Sequence, residues 1–166
     1  MDFRADPFDI FDKQWALLTA GTELRFNTMT ISWGGLGTLW SKPVVTVYVK
    51  PIRYTHDFME QNDYFTVSFY QEEYRRALEV LGTLSGRDGD KVAKAGLTPK
   101  ALEHGMTFRE AKATLVCKKI YRQDLDPAQM PAEVVSTYYT SETAHTMYIG
   151  EVVGIISDGP VSGEKP

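Results

Sequence analysis

Residues 27–35 (NTMTISWGG) bring amide and hydroxyl side chains together along one extended segment that ends in a pair of glycines. Donors and acceptors at a strand end can match the polar edge of a flat heterocyclic ring, and glycine lets backbone approach a ligand closely. The alternative is a barrel strand with Thr and Ser on its solvent-facing side, which composition alone favours. The candidate binding residues of this segment are Asn27, Thr28, Met29, Thr30, Ser32 and Trp33.

Residues 50–56 (KPIRYTH) leave an apolar strand and enter a candidate helix, where they could bind a phosphate group. Arg53 can make a bidentate contact with phosphate oxygens. The Thr55 hydroxyl and the backbone N–H groups at the start of the helix, next to Tyr54, offer further donors to an anion. An ordinary turn with a solvated Arg and a capping Thr explains the same residues equally well.

Residues 85–91 (SGRDGDK) form a tight polar loop that contains Ser85 and Gly86. Arg87 and Lys91 could reach a phosphate or a carbonyl of a ligand. The carboxylates of this loop, Asp90 among them, would more naturally cap the helix that follows. Without other support, an exposed loop is the simpler interpretation.

His145 stands at the start of a late strand and is the candidate catalytic residue. An imidazole titrates near neutral pH, so it could donate a hydrogen bond or a proton near a redox centre. A lone His at a strand end is more often structural. No metal site is predicted, because the three His are scattered and Cys117 is the one cysteine.

The elements that must position these residues are mostly strands. Period-2 alternation and β-branched residues predict strands over residues 28–33, 44–49, 64–70, 111–121 and 146–156. Helical spacing predicts helices over 56–61, with Thr55 as N-cap, and over 72–84, 90–95 and 131–138. Strands outnumber helices and no regular crossover helices separate them, which favours an antiparallel barrel over a doubly wound parallel sheet. The usual Gly-x-Gly-x-x-Gly dinucleotide fingerprint is missing.

Length and charge limit the classes of partner. The 166 residues suit one domain, which we expect over residues 1–157, with 158–166 as a flexible polar tail. A net charge of −4 disfavours nucleic acid and anionic membranes. No apolar run approaches the about 20 residues of a membrane span. Because a single cysteine is compatible with a reducing compartment, we expect a cytoplasmic protein.

In order and spacing, four segments resemble the flavin reductase-like FMN-binding split-barrel family, and within it the flavoredoxin branch. Residues 27–35 are similar to its flavin-binding strand, and residues 43–55 (PVVTVYVKPIRYT) to its next strand and phosphate turn. Residues 85–91 resemble its Ser-Gly-basic-x-x-Asp-Lys loop, and residues 145–152 (HTMYIGEV) resemble its late strand, which begins Gly-Asp-His-x-x-x-x-Gly in many reductases. Together the segments span residues 24–156, most of the chain.

The resemblance implies a mainly β fold, a six-stranded antiparallel split β-barrel with Greek-key connections and peripheral helices. It implies flavin mononucleotide (FMN) as cofactor, near the interface of a homodimer. The strand residues Asn27 to Trp33 named above would contact the flavin and ribityl chain, and Arg53, Tyr54 and Thr55 the phosphate side. Ser85, Gly86, Asp90 and Lys91 would lie near the cofactor, and His145 near the flavin where a nicotinamide could dock.

The resemblance is compatible with two functions, and the residues without the resemblance are compatible with a third. The first is an FMN-dependent oxidoreductase that takes hydride from NAD(P)H. The Gly-Asp that precedes the family's His is Thr143-Ala144 here, so NAD(P)H use does not follow automatically. The second is an electron carrier that serves a redox partner protein. The third is a non-catalytic split barrel that binds FMN or another ligand.

Overall fold

Seven strands form one antiparallel sheet. The computed structural model describes residues 3–141 and 143–157 of the chain, so the expected tail at 158–166 lies outside the described residues. The strands of the sheet are β1 (Ala16–Thr22), β2 (Arg25–Ile31), β3 (Gly34–Leu39), β4 (Lys42–Val49), β5 (Tyr64–Phe69), β8 (Ala113–Asp124) and β9 (Thr146–Ser157). They lie side by side in the order β2-β1-β5-β8-β9-β4-β3. A short ribbon pairs β6 (Pro99–Ala101) with β7 (Met106–Phe108).

The predicted antiparallel, mainly β architecture is confirmed, but the main sheet has seven strands rather than six. Within the described residues, no backbone pairing joins the edge strands β2 and β3 into a closed barrel. The sequence pattern does not predict β3, because its segment GGLGTL is rich in glycine and lacks the β-branched alternation of a strand.

Two residues, Ser32 and Trp33, connect β2 to β3, although these strands lie at opposite edges of the sheet. Three peptide steps span at most about 11 Å. The sheet must therefore curl until its two edges come close at this connection, and the strand twist of antiparallel sheets allows it to do so.

The helices lie around the sheet, and four of the five match predicted segments closely, whereas the short N-terminal helix is not predicted by the sequence pattern. They are α1 (Asp9–Asp12), α2 (Tyr54–Gln61), α3 (Arg75–Thr83), α4 (Lys91–Ala95) and α5 (Ala132–Tyr138). The predicted helix over 72–84 begins with a 3-10 turn at Glu72–Tyr74 before α3. Gly96 ends α4 in the left-handed conformation expected of a glycine at that position. Across the described residues, none of these helices is long and apolar enough to cross a bilayer.

Alternation along β1 divides the core into two layers. Leu18 faces the inside of the curled sheet, opposite Met29 on β2 and Val67 on β5. Leu17 faces the other way and packs with the apolar stripe of α3. Cys117 lies in the inner layer, where burial raises the pKa of its thiol and keeps it protonated.

Candidate functional site

A cavity of about 550 Å³ opens where the edges of the curled sheet approach each other. Strand β2, the Ser32–Trp33 connection, the end of β4, the start of α2 and the α3–α4 connection all contribute to its wall. Twelve of the fourteen predicted site residues line it: Asn27, Met29, Thr30, Ser32, Trp33, Arg53, Tyr54, Thr55, Ser85, Gly86, Lys91 and His145. Residues from four distant stretches of sequence therefore meet in one cleft.

Two predicted residues do not line this cavity. The Thr28 side chain is fully buried, and its hydroxyl bonds to Thr19 Oγ1 at 2.8 Å. Asp90 is the N-cap of α4, and its Oδ1 accepts a hydrogen bond from the Ala93 amide at 3.0 Å. Thr28 shares a strand face with Thr30, which does line the cavity, but Thr28 is fully buried and its hydroxyl is taken up by β1; Asp90 is taken up by helix capping.

Six lining residues were missed by the sequence analysis: Ile31, Tyr48, Lys50, Ile52, Thr83 and Leu84. Ile31, Ile52, Thr83 and Leu84 lie within two residues of predicted positions, and Lys50 begins the predicted segment 50–56, so taking each segment more broadly would have found them. Tyr48 near the end of β4 had no such signal. Conversely, Gly34 does not give a ligand room, because a Cβ there would meet the Phe11 ring at 2.7 Å.

The C-terminal end of α3 carries two cations that form part of the cavity wall. Arg53 donates from Nη2 to the Gly82 carbonyl at 2.8 Å. Lys91 donates from Nζ to the carbonyls of Leu81 and Leu84, each at 3.1 Å. These bonds satisfy carbonyls that a helix end leaves unpaired, and the cations offset its negative end. Burial and the nearby charge of Arg53 lower the pKa of Lys91 to about 8.

The N-terminal end of α2 meets the same cavity and has no side-chain cap. Its N-cap is Arg53 rather than the predicted Thr55, and Tyr54 begins the helix. The Thr55 hydroxyl instead accepts a hydrogen bond from Asn27 Nδ2 at 2.8 Å, which ties the helix to β2. The first turn of α2, whose N–H groups a helix leaves without intrahelical partners, therefore forms part of the wall of a cavity that is suited to an anion.

Arg87, predicted to reach a phosphate, points elsewhere. Its Nη2 pairs with Asp57 Oδ2 at 2.9 Å, and its Nη1 donates to the Ile52 carbonyl at 3.1 Å. The guanidinium also lies 4.6 Å from the centre of the Tyr54 ring. Arg87 therefore stabilises the outer side of the loop formed by residues 85–91 and does not line the cavity.

Four aromatic rings form a closed circuit at another part of the wall. Trp33 lies 5.3 Å from Tyr138 and 5.4 Å from His145, measured between ring centres. Tyr139 lies 5.6 Å from His145 and 6.5 Å from Tyr138. Trp33 and His145 line the cavity, whereas the two tyrosines contact them without lining it.

Charge in the cavity is one-sided. Lys50, Arg53 and Lys91 line it, but no Asp or Glu does among the residues that the structure describes. The described chain also holds no cluster of three or more His, Cys, Asp or Glu that could bind a metal ion. The site is therefore suited to an anionic organic ligand with a flat, partly apolar body.

Solved structures with the same fold include flavoredoxins. One is flavoredoxin from Methanosarcina acetivorans, at 18% identity and a TM-score of 0.71, covering 95% of this chain and 75% of that chain. Flavoredoxin of Desulfovibrio vulgaris (Miyazaki F) is 24% identical, with a TM-score of 0.69 and coverage of 93% and 72%. An FMN-binding protein from Thermus thermophilus with bound 1-cyclohex-2-enone is 20% identical, with a TM-score of 0.69 and coverage of 95% and 80%.

At these identities the likeness establishes the fold alone. A comparison with curated proteins gave no match. A family model described as a flavin reductase like domain matches residues 8–164, which is nearly the whole chain. The chain therefore belongs to the flavin reductase like domain family.

Proposed function

We propose that this protein binds FMN in the 550 Å³ cavity and acts as a flavoprotein oxidoreductase. The observation that carries the proposal is the composition of the wall, with three cations, an uncapped helix N-terminus and an aromatic surface but no described carboxylate. The volume lies within the range of about 300–1,000 Å³ that is usual for cofactor pockets. Membership of the flavin reductase like domain family supports the same ligand.

The phosphate would be held where α2 begins. The N–H groups of Tyr54 and Thr55 are donors with the positive end of the helix dipole behind them. Arg53 adds a guanidinium whose geometry suits phosphate oxygens. Because Arg53 and Lys91 already cover three carbonyls at the end of α3, those oxygens would repel an anion less.

The flavin ring would lie against β2 and Trp33. Met29 and the partly exposed Trp33 provide apolar surface, and Asn27, Thr30 and Ser32 add polar groups beside it. The Thr30 hydroxyl is itself held by a hydrogen bond to the Leu78 carbonyl at 2.5 Å, so this wall is fixed by α3. Such a surface is expected to orient a ring and limit the access of water to one of its faces.

The chemistry that FMN supplies when bound is the reversible uptake and release of electrons and protons at its ring system. The residues of this chain contribute binding, orientation and charge. Lys91 and the amides at the start of α2 favour negative charge in the cavity. His145 is the one described imidazole in its wall and can donate or accept a hydrogen bond there.

For the electron donor, two chemical classes of molecule fit the proposed site. We propose either NAD(P)H or a redox partner protein. Anaerobic addition of NADH or NADPH to the FMN complex distinguishes them, since bleaching of the flavin absorbance is expected only for a nicotinamide donor. A protein that binds FMN but gives no bleaching with either nucleotide, and none with a chemically reduced electron carrier protein, would be a non-catalytic binding protein.

We further propose that a second copy of the chain covers the cavity as a homodimer. Three large apolar side chains line the opening and are strongly exposed, namely Trp33 (42%), Ile52 (65%) and Leu84 (37%). Apolar surface of this kind at the mouth of a site is typical of an interface. Sedimentation equilibrium giving a monomer with FMN bound would contradict this proposal.

The decisive test compares FMN with riboflavin, which lacks the phosphate. We expect FMN to bind at least about tenfold more tightly, because charged hydrogen bonds to the phosphate contribute about 1.5–3 kcal/mol. Arg53→Met should remove most of that preference. Arg87→Met is the matched control, since Arg87 pairs with Asp57 outside the cavity, and it should keep the preference. A colourless protein that ignores added FMN would refute the proposal.

A further inference from the structure

His145 is held by a neighbour that the sequence analysis did not consider. His145 is 8% exposed as a residue, and its Nδ1 lies 2.8 Å from the hydroxyl oxygen of Tyr139. Tyr139 immediately follows α5, and its backbone N–H bonds to the Val135 carbonyl at 2.9 Å. The hydroxyl therefore approaches His145 from a backbone that the helix end anchors.

The Tyr139 ring makes contacts besides this hydrogen bond. It packs edge-on against His145, and Lys50 Nζ lies 5.9 Å from its centre. It forms part of the wall of a second cavity of about 430 Å³ that contains Pro51 and His56 but not His145. Tyr139 therefore lies outside the wall of the main cavity, next to His145, and the Nδ1 edge of the imidazole faces the Tyr139 hydroxyl.

The direction of the Tyr139–His145 hydrogen bond follows from acid–base chemistry. A phenol is an acid with an ordinary pKa of about 10, whereas a neutral imidazole has one basic nitrogen. The O–H···N arrangement is therefore stronger than N–H···O between the same groups. Within the part of the chain that the structure describes, His145 Nδ1 is the one hydrogen-bond partner of the Tyr139 hydroxyl.

We propose that Tyr139 is a positioning residue that donates its proton to Nδ1 and holds neutral His145 as the Nε2–H tautomer. The imidazole then presents a hydrogen-bond donor, rather than an acceptor, to a ligand in the main cavity. The ligand side of this inference depends on the proposed function, because the acceptor would be an oxygen or ring nitrogen of bound FMN. The tautomer itself does not depend on FMN.

The first experiment reads the tautomer in protein without FMN. Imidazole 15N shifts are recorded at about pH 8.5 on protein labelled at histidine, and His145 is assigned by its loss in H145Q. The wild type should show the Nε2–H form. Tyr139→Phe, which keeps the ring and removes the hydroxyl, should give a mixture of tautomers. Tyr138→Phe is the matched control, one residue away, and should leave the spectrum of His145 unchanged.

The second experiment asks whether the effect on FMN passes through His145. Tyr139→Phe should weaken FMN binding by about threefold to tenfold in the wild type, and by less than twofold in H145Q. Equal losses in both backgrounds would overturn the positioning role. So would an Nδ1–H tautomer in the wild type, or an unchanged tautomer in Tyr139→Phe. If no variant binds FMN, the proposed function fails, and the 15N spectra still decide the role of Tyr139.

Discussion

Gly86→Ala tests whether the cavity wall is as closely packed as its contacts indicate. A Cβ at this position would stand 2.2 Å from Asn27 Oδ1, and 3.1 Å from both Asn27 Cγ and Tyr54 Cδ1. A carbon–oxygen contact of 2.2 Å is far inside van der Waals distance, so Asn27 must move. Its amide is buried and donates to Thr55 Oγ1 at 2.8 Å, so the displacement breaks a bond that ties β2 to α2.

The cost can be worked from those contacts. Forcing a methyl group into a packed wall costs about 1–3 kcal/mol, and losing one buried hydrogen bond adds about 1 kcal/mol. The free energy of unfolding should therefore fall by about 2–4 kcal/mol. Because Asn27, Tyr54 and Thr55 all line the cavity, FMN affinity should fall by at least about tenfold.

Urea denaturation and fluorescence titration with FMN measure the two effects of Gly86→Ala. Gly37→Ala is the matched control, since a Cβ at Gly37 meets nothing within 4 Å and this exposed glycine has no positive φ. We expect Gly37→Ala to change stability by less than about 0.5 kcal/mol and to leave FMN affinity unchanged. If Gly86→Ala behaves like Gly37→Ala in both measurements, the close contact between Gly86 and Asn27 does not exist in the protein.

Two further predictions concern pH. Because burial and the charge of Arg53 lower the pKa of Lys91 to about 8, the unfolded chain holds this proton more strongly between about pH 8 and 10.5. The wild type should therefore gain stability relative to Lys91→Met as pH rises through that range, and parallel urea profiles would contradict the assignment. Burial alone would raise the pKa of Glu60, but hydrogen bonds from Tyr148 and Arg122 lower it overall. Near neutral pH the free energy of unfolding of the wild type should exceed that of Glu60→Gln by about 0.5–1 kcal/mol, and this difference should be lost as pH falls below about 4.5. Acid titration followed by circular dichroism would detect the loss.

Strands rich in β-branched residues were predictable, because their alternation reflects the two faces of a half-buried sheet. The strand β3 was not, since its glycines leave open whether the chain turns or extends. Likewise the seven-strand order could not be read from the sequence, because it depends on pairings between residues as distant as Val44 and Glu151.

The candidate site was predictable in composition but not in the orientation of each side chain. Thr28 shares a strand face with Thr30, which lines the cavity, but Thr28 is fully buried and its hydroxyl bonds to Thr19 instead. Asp90 was given two roles from sequence, and the capping role is the one that the hydrogen bond to Ala93 confirms. In both cases a hydrogen bond within the protein decided the outcome.

The aromatic circuit that contains His145 had no sequence signal. The predicted helix over 131–138 begins one residue before the observed α5 and ends at the same residue, so the element itself was found. Its contact with His145 depends on how the following loop turns back toward β9. Periodicity describes which face of a helix is apolar, but it contains no information about which distant ring that face will meet.

The Ser32–Trp33 connection couples the motions of the two edge strands, β2 and β3. Because only two residues join these strands, displacement of the end of β2 from the sheet would also displace the start of β3. Neither edge strand can therefore separate from the sheet at this connection alone. A ligand bound at this connection would contact both edge strands and restrain them together. Its arrival should slow amide hydrogen exchange in β2 and β3 together, including amides of β3 that it never touches.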